Sequence, residues 1–131
     1  MLETAFLASD ESRVRTLRAT ELPFRPPSLG LVLKFSLSAA EACRPHLLAI
    51  RPMTPDGRLL ANEATIVVPQ EDISRPSPGL VVRTTVVVGE LADLTFDTPG
   101  LHALVVFFDG AAVASLPIEI LAPAEELSSP P

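Results

Sequence analysis

The segment Thr98–Leu121, read as TPGLHALVVFFDGAAVASLPIEIL, constrains the fold more than any other part of the chain. Pro-Gly opens an apolar run, Asp109-Gly110 is the dipeptide that a tight hairpin turn demands, and a second apolar run returns. A β-hairpin is therefore expected, and its turn sets which side chains share a face. With Asp109 and Gly110 as the turn, Phe108 pairs with Ala111, Phe107 with Ala112, Val105 with Ala114 and Leu101 with Ile118. This register predicts a core face of Leu101, Ala103, Val105, Phe107, Ala112, Ala114, Leu116, Ile118 and Ile120. The opposite face carries His102, Leu104, Val106, Phe108 and Val113, and a bulge would swap the two sets on one strand. Pro117 has no amide donor, so its strand is expected at a sheet edge or beside a bulge.

The same signals recur along the chain. Glu3–Ala8 and Arg13–Ala19 flank a polar turn and predict a hairpin. The proline-rich stretch from Glu21 to Ser28 predicts a connection over the surface or an edge. Leu29–Ser38 alternates cleanly, with Leu29, Leu31, Leu33, Phe35 and Leu37 on one side. Residues 39–44 allow at most one short helical turn, ended before Pro45. His46–Met53 reads as a strand, Thr54-Pro-Asp-Gly57 as a type I turn, Ala64–Val68 and Leu80–Val88 as strands, and Leu94–Phe96 as a short one. These signals give an all-β chain, an antiparallel two-sheet β-sandwich of about eight strands with Greek-key or jelly-roll order. With 131 residues the chain fits one domain, expected over residues 1–122, followed by a disordered polar and proline-ended tail at 123–131.

Composition narrows the function classes. The net charge of −6 argues against nucleic acid and anionic membrane as partners. The single Cys43 rules out an intrachain disulfide, and the opening residues lack the basic start of a signal peptide, so a cytoplasmic location is expected. No Gly-x-Ser-x-Gly elbow or phosphate-cradling glycine loop is present. Neither His46 nor His102 has metal-ligand spacing to another donor, and each is expected as a polar residue at a strand start. The carboxylates Asp56, Asp72, Asp93, Asp97 and Asp109 fall where turn chemistry alone accounts for them. No catalytic residue, metal ligand or cofactor is assigned.

Taken together, Glu3-Thr-Ala-Phe-Leu-Ala, the turn Pro55-Asp-Gly57, and Pro99–Gly110 followed by Ser115-Leu-Pro-Ile-Glu-Ile120 resemble a family of small uncharacterised bacterial proteins catalogued as a domain of unknown function. The resemblance implies one compact β domain in the bacterial cytoplasm and brings no catalytic residues with it. The leading expectation is a non-enzymatic interaction or structural module, with a protein partner or a second copy of the chain as its ligand. Its candidate surface is the outward hairpin face Leu104, Val106, Phe108 and Val113, an apolar patch unusual on a monomer. Arg13, Arg15 and Arg18 form a candidate basic patch. Two alternatives are a small-ligand domain, for sugar or metal, using the loop 69–79, and a Cys-dependent enzyme pairing Cys43 with His46.

Overall fold

The computed structural model describes residues 1–9, 12–26, 29–60, 63–72, 79–88, 91 and 94–123, with backbone alone at 8, 9 and 12–14. Among them are nine strands and one helical turn: β1 (Leu2–Ser9), β2 (Ser12–Val14), β3 (Thr16–Arg18), β4 (Leu29–Ser38), α1 (Ala39–Ala42), β5 (His46–Met53), β6 (Ala64–Val68), β7 (Val81–Val88), β8 (Gly100–Phe108) and β9 (Ala111–Leu121). They form a four-stranded sheet in the order β2-β1-β4-β7 and a five-stranded sheet in the order β3-β9-β8-β5-β6.

The all-β class and the single helical turn stand, but the plain antiparallel sandwich needs correction. The five-stranded sheet is mixed and curls into a half-barrel, because β3 runs parallel to β9. The cause lies at Arg15, where the expected strand Arg13–Ala19 breaks in two. Its first part, β2, stays antiparallel to β1, while its second part, β3, crosses to the other sheet. The Arg15 carbonyl accepts from the Glu119 amide at 2.9 Å, so the crossing is stitched at the break itself. Because β3 covers only Glu119–Leu121, the outer side of the rest of β9 pairs with no strand among the described residues, and Pro117 sits there without leaving a ladder bond unmade.

The core follows from the strictest alternation in the sequence. Leu29, Leu31, Leu33, Phe35 and Leu37 of β4 are all buried, and they face Leu48 and Ile50 of β5, Leu104 and Val106 of β8, and Ile118 and Ile120 of β9. Each such burial contributes about 1.5–3 kcal/mol. The proline-rich connection does more than cross the surface: Phe24 is buried and bridges Phe96 through two backbone hydrogen bonds of 2.7 and 2.8 Å. The expected strand at Leu94–Phe96 is reduced to this one bridge. The turn expected at Thr54–Gly57 forms, closed by the Gly57 amide donating to the Thr54 carbonyl at 3.0 Å. Residues 73–78 of the long loop and 124–131 of the expected tail lie outside the described residues.

The hairpin turns at Asp109 and Gly110, both with positive φ, as the Asp-Gly signal requires. Its register then departs from expectation. Phe107 pairs with Ala112, but Val106 pairs with Ala114, so Val113 is an extra, bulged residue. Beyond it the partners shift by one: Leu104 faces Leu116 and His102 faces Ile118. On β9 the expected core set from Ala114 to Ile120 does point inward, but Ala112, which precedes the bulge, lies exposed on the outer face beside Phe107. On β8 the faces are exchanged, with His102, Leu104, Val106 and Phe108 inside and Leu101, Ala103, Val105 and Phe107 outside.

Candidate functional site

The exchange of faces relocates the candidate surface. Leu104 and Val106 are fully buried, and Phe108 packs within the core, its ring 5.0 Å from that of Phe35. Of the four expected surface residues only Val113, at the bulge, is exposed. The true outer face of the five-stranded sheet is built from the other alternation. Register places Val67 of β6 beside Leu47 of β5, then Thr65, Ala49, Phe107 and Ala112 in one row, Arg51 and Val105 in the next, and Met53 and Ala103 beyond. Leu47, Val67 and Leu101 are 47%, 65% and 58% exposed.

One ion pair interrupts this apolar face. Arg51 donates to Glu63 Oε1 from Nε at 3.2 Å and from Nη2 at 3.0 Å, and its guanidinium lies 4.7 Å from the centroid of the Phe107 ring. The guanidinium covers the aromatic ring while its charge is met on the same surface.

At the turn end of the hairpin lies a polar junction. His46, buried at the start of β5, has Nδ1 2.6 Å from Asp109 Oδ2 and Nε2 2.6 Å from the Glu41 carbonyl of α1. The Leu47 amide donates to the other carboxylate oxygen at 2.9 Å. A carbonyl can only accept, so Nε2 donates, and the carboxylate favours a proton on Nδ1 as well. Burial opposes charge on the ring, but the bonds to Asp109 and Glu41 outweigh it and hold the His46 pKa above the ordinary imidazole value. The same bond from His46, followed by the Leu47 amide, holds Asp109 below the usual carboxylate range. The ring stacks on Phe108 at 4.7 Å. One turn of helix, capped reciprocally by Ser38 and Glu41, is thus tied to the hairpin tip through a single imidazole.

That arrangement bears on the pairing of Cys43 with His46. Both ring nitrogens of His46 are occupied, which leaves neither to take a proton from the half-buried thiol. Cys43 borders a shallow depression of about 440 Å³ with Gln70, Glu71 and Asp72 of the loop 69–79. Among the described residues no three His, Cys, Asp or Glu side chains converge as a metal site would require. The second histidine, His102, is buried, with Nδ1 3.1 Å from the Gly100 carbonyl and its ring edge-on to Phe96 at 4.8 Å. Of the candidate basic patch, Arg18 donates to the Ala122 carbonyl at 2.8 Å from β3, Arg15 stands exposed at the strand break, and the Arg13 side chain lies outside the described residues.

Sequence reasoning passed over the His46–Asp109 junction. Turn chemistry already explained Asp109, and nothing local in the sequence links it to a histidine 63 positions away.

The family model of DUF6941, a family of unknown function, matches residues 13–121. The chain belongs to that family. None of the curated proteins matches the DUF6941 chain. Among solved structures, a similar one is Pseudomonas fluorescens alkylpurine DNA glycosylase AlkC bound to DNA containing an abasic site analog. It is 15% identical with a TM-score of 0.42, and the match covers 92% of this chain and 30% of that one, a likeness that carries no functional argument. Among the described residues no helix is long and apolar enough to cross a membrane.

Proposed function

We infer that this DUF6941 chain is a non-enzymatic interaction module of the bacterial cytoplasm that binds another protein through the outer face of its five-stranded sheet. The observation that carries the reading is the run of exposed or half-exposed apolar side chains across β6, β5 and β8, from Val67 and Leu47 through Phe107 and Val105 to Leu101. Contiguous apolar area of this kind on a soluble domain marks a contact surface. Among the described residues of those rows Arg51 meets Glu63, and Glu119 stands opposite Leu101 at the far end, so the fitting partner is a protein surface that is apolar over most of its area. The net charge of −6 sets the chain against polyanionic partners.

The test is capture from the native cell with the wild-type chain and with a Leu47→Ser, Leu101→Ser double variant, at low and high salt. A partner held through this face is retained at high salt and lost with the double variant, whose melting temperature should stay near wild type. Capture that survives the double substitution, or that salt abolishes, overturns the reading.

A further inference from the structure

The other sheet ends in β7, whose far side pairs with nothing among the described residues. Edge strands are ordinarily protected by lysine, proline, bulges or shortness. β7 has none of these and a single charge, Arg83: it is eight residues long, VVRTTVVV, regular in its ladder with β4, and Val81 and Val87 are 55% and 65% exposed. Backbone polarity is equally clear. The Leu80 carbonyl accepts from Ala39 beside β4, so by alternation the even-numbered residues direct their amides and carbonyls to β4. Those of Val81, Arg83, Thr85 and Val87 point to the open edge.

A second observation singles out the centre of this strand. Thr84 Oγ1 is a fully buried hydroxyl without a hydrogen-bond partner. Native structures rarely leave such a group unmet. The sequence is also self-complementary about Thr84. Antiparallel pairing of two copies centred there sets Leu80 against Val88, Val81 against Val87, Val82 against Val86, Arg83 against Thr85, and Thr84 against itself. Every pair keeps inner residues with inner and outer with outer, which a centre between Thr84 and Thr85 would not do. No like charges stand directly opposite.

We propose that β7 is a homodimer interface, in which two copies of this chain join their four-stranded sheets edge to edge across a twofold axis at Thr84. The four outward residues of each strand exchange about eight backbone hydrogen bonds with those of the other. Thr84 meets its twin in a non-hydrogen-bonded pair, where side chains approach most closely, with Cα atoms about 4.5 Å apart. Rotation of each Thr84 about χ1 turns its hydroxyl from its buried position toward the seam, where one donates and the other accepts. The interface is separate from the outer face of the five-stranded sheet, so the partner-capture experiment can fail without touching it.

Sedimentation equilibrium of the full chain tests the proposal directly, with Thr85→Pro as the edge-blocking variant. The Thr85 amide points outward, so proline there spares the ladder with β4 and removes a donor from the edge. The wild type is expected to be a dimer and Thr85→Pro a folded monomer, with association weakened at least tenfold. Val87→Lys, a conventional edge protection, should act in the same direction if the proline variant does not fold. Register is read by cysteine cross-linking in a Cys43→Ser background. Thr84→Cys should yield a covalent dimer on oxidation, since a Cα separation of about 4.5 Å suits a disulfide, while Thr85→Cys should not. A monomeric wild type, a dimer indifferent to both edge variants, or cross-linking at 85 in preference to 84 overturns the proposal.

Discussion

Asp109 at the tip of the β8–β9 hairpin lies 2.6 Å from His46 at the start of β5, and this one contact joins the turn to the helix that supplies the other acceptor of the ring. Its pH dependence follows from the two shifts. The His46 pKa is raised in the fold, so its contribution is complete below the unfolded value of about 6.5 and is lost as pH rises through the folded one. The Asp109 pKa is lowered, so its contribution is complete above about 3.8 and is lost as pH falls through the folded value. The pair stabilises most between those limits. Asp109→Asn keeps a residue that tolerates positive φ and should cost about 1–3 kcal/mol near pH 5–6, toward the low end because the Asp109 side chain is 44% exposed. Thermal unfolding against pH should show that cost shrinking above pH 7; a constant difference would remove the ionic account.

The bulge at Val113 makes neighbouring valines unequal. Val106 is fully buried and Val105 half-buried on the outer face. Val106→Ala should therefore cost on the order of 2 kcal/mol in denaturant unfolding, and Val105→Ala less than about 1 kcal/mol. The unbulged register inverts this ranking, so equal or reversed costs would reject the observed one.

Gly100, the first residue of β8, lies against the Thr54–Gly57 turn. Its φ is +128°, and a Cβ there would stand 3.1 Å from Pro55 Cγ in the Thr54–Gly57 turn. Gly100→Ala should lower stability by about 1–3 kcal/mol through backbone strain, with the proline contact added. A neutral effect on the unfolding midpoint would show that the segment relaxes freely.

Ser38 caps α1, accepting from the Glu41 amide at 3.2 Å while the Glu41 carboxylate accepts from the Ser38 amide at 3.0 Å. Bonds from the Ser38 backbone and hydroxyl lower the Glu41 pKa. Ser38→Ala should cost about 1 kcal/mol, and nuclear magnetic resonance titration should find the Glu41 pKa moved back toward its ordinary value. An unmoved titration would mean that the cap does not form in solution.

Much of this was legible in the residues themselves. The strict alternation of Leu29–Ser38, the proline that ends α1 and the turns at Pro55-Asp-Gly57 and Asp109-Gly110 are local signals, and each appears where the sequence places it. β8 was ambiguous because both of its alternating sets are apolar, so hydrophobicity cannot choose a phase. The larger set, Leu104, Val106 and Phe108, fills the core better than Ala103 and its neighbours, and one bulged residue lets β8 turn it inward while Leu116, Ile118 and Ile120 of β9 stay there.

The sequence by itself determined an all-β chain, the turns at Thr54–Gly57 and Asp109-Gly110, most of its strand limits and, Ala112 apart, the membership of its β4 and β9 core faces, because period and turn chemistry act over a few residues. Only the tertiary structure decided the crossing at Arg15, the phase of β8, the junction of His46 with Asp109 and the edge position of β7. Each of these depends on which distant segments meet, and nothing within a few residues of any of them encodes its partner.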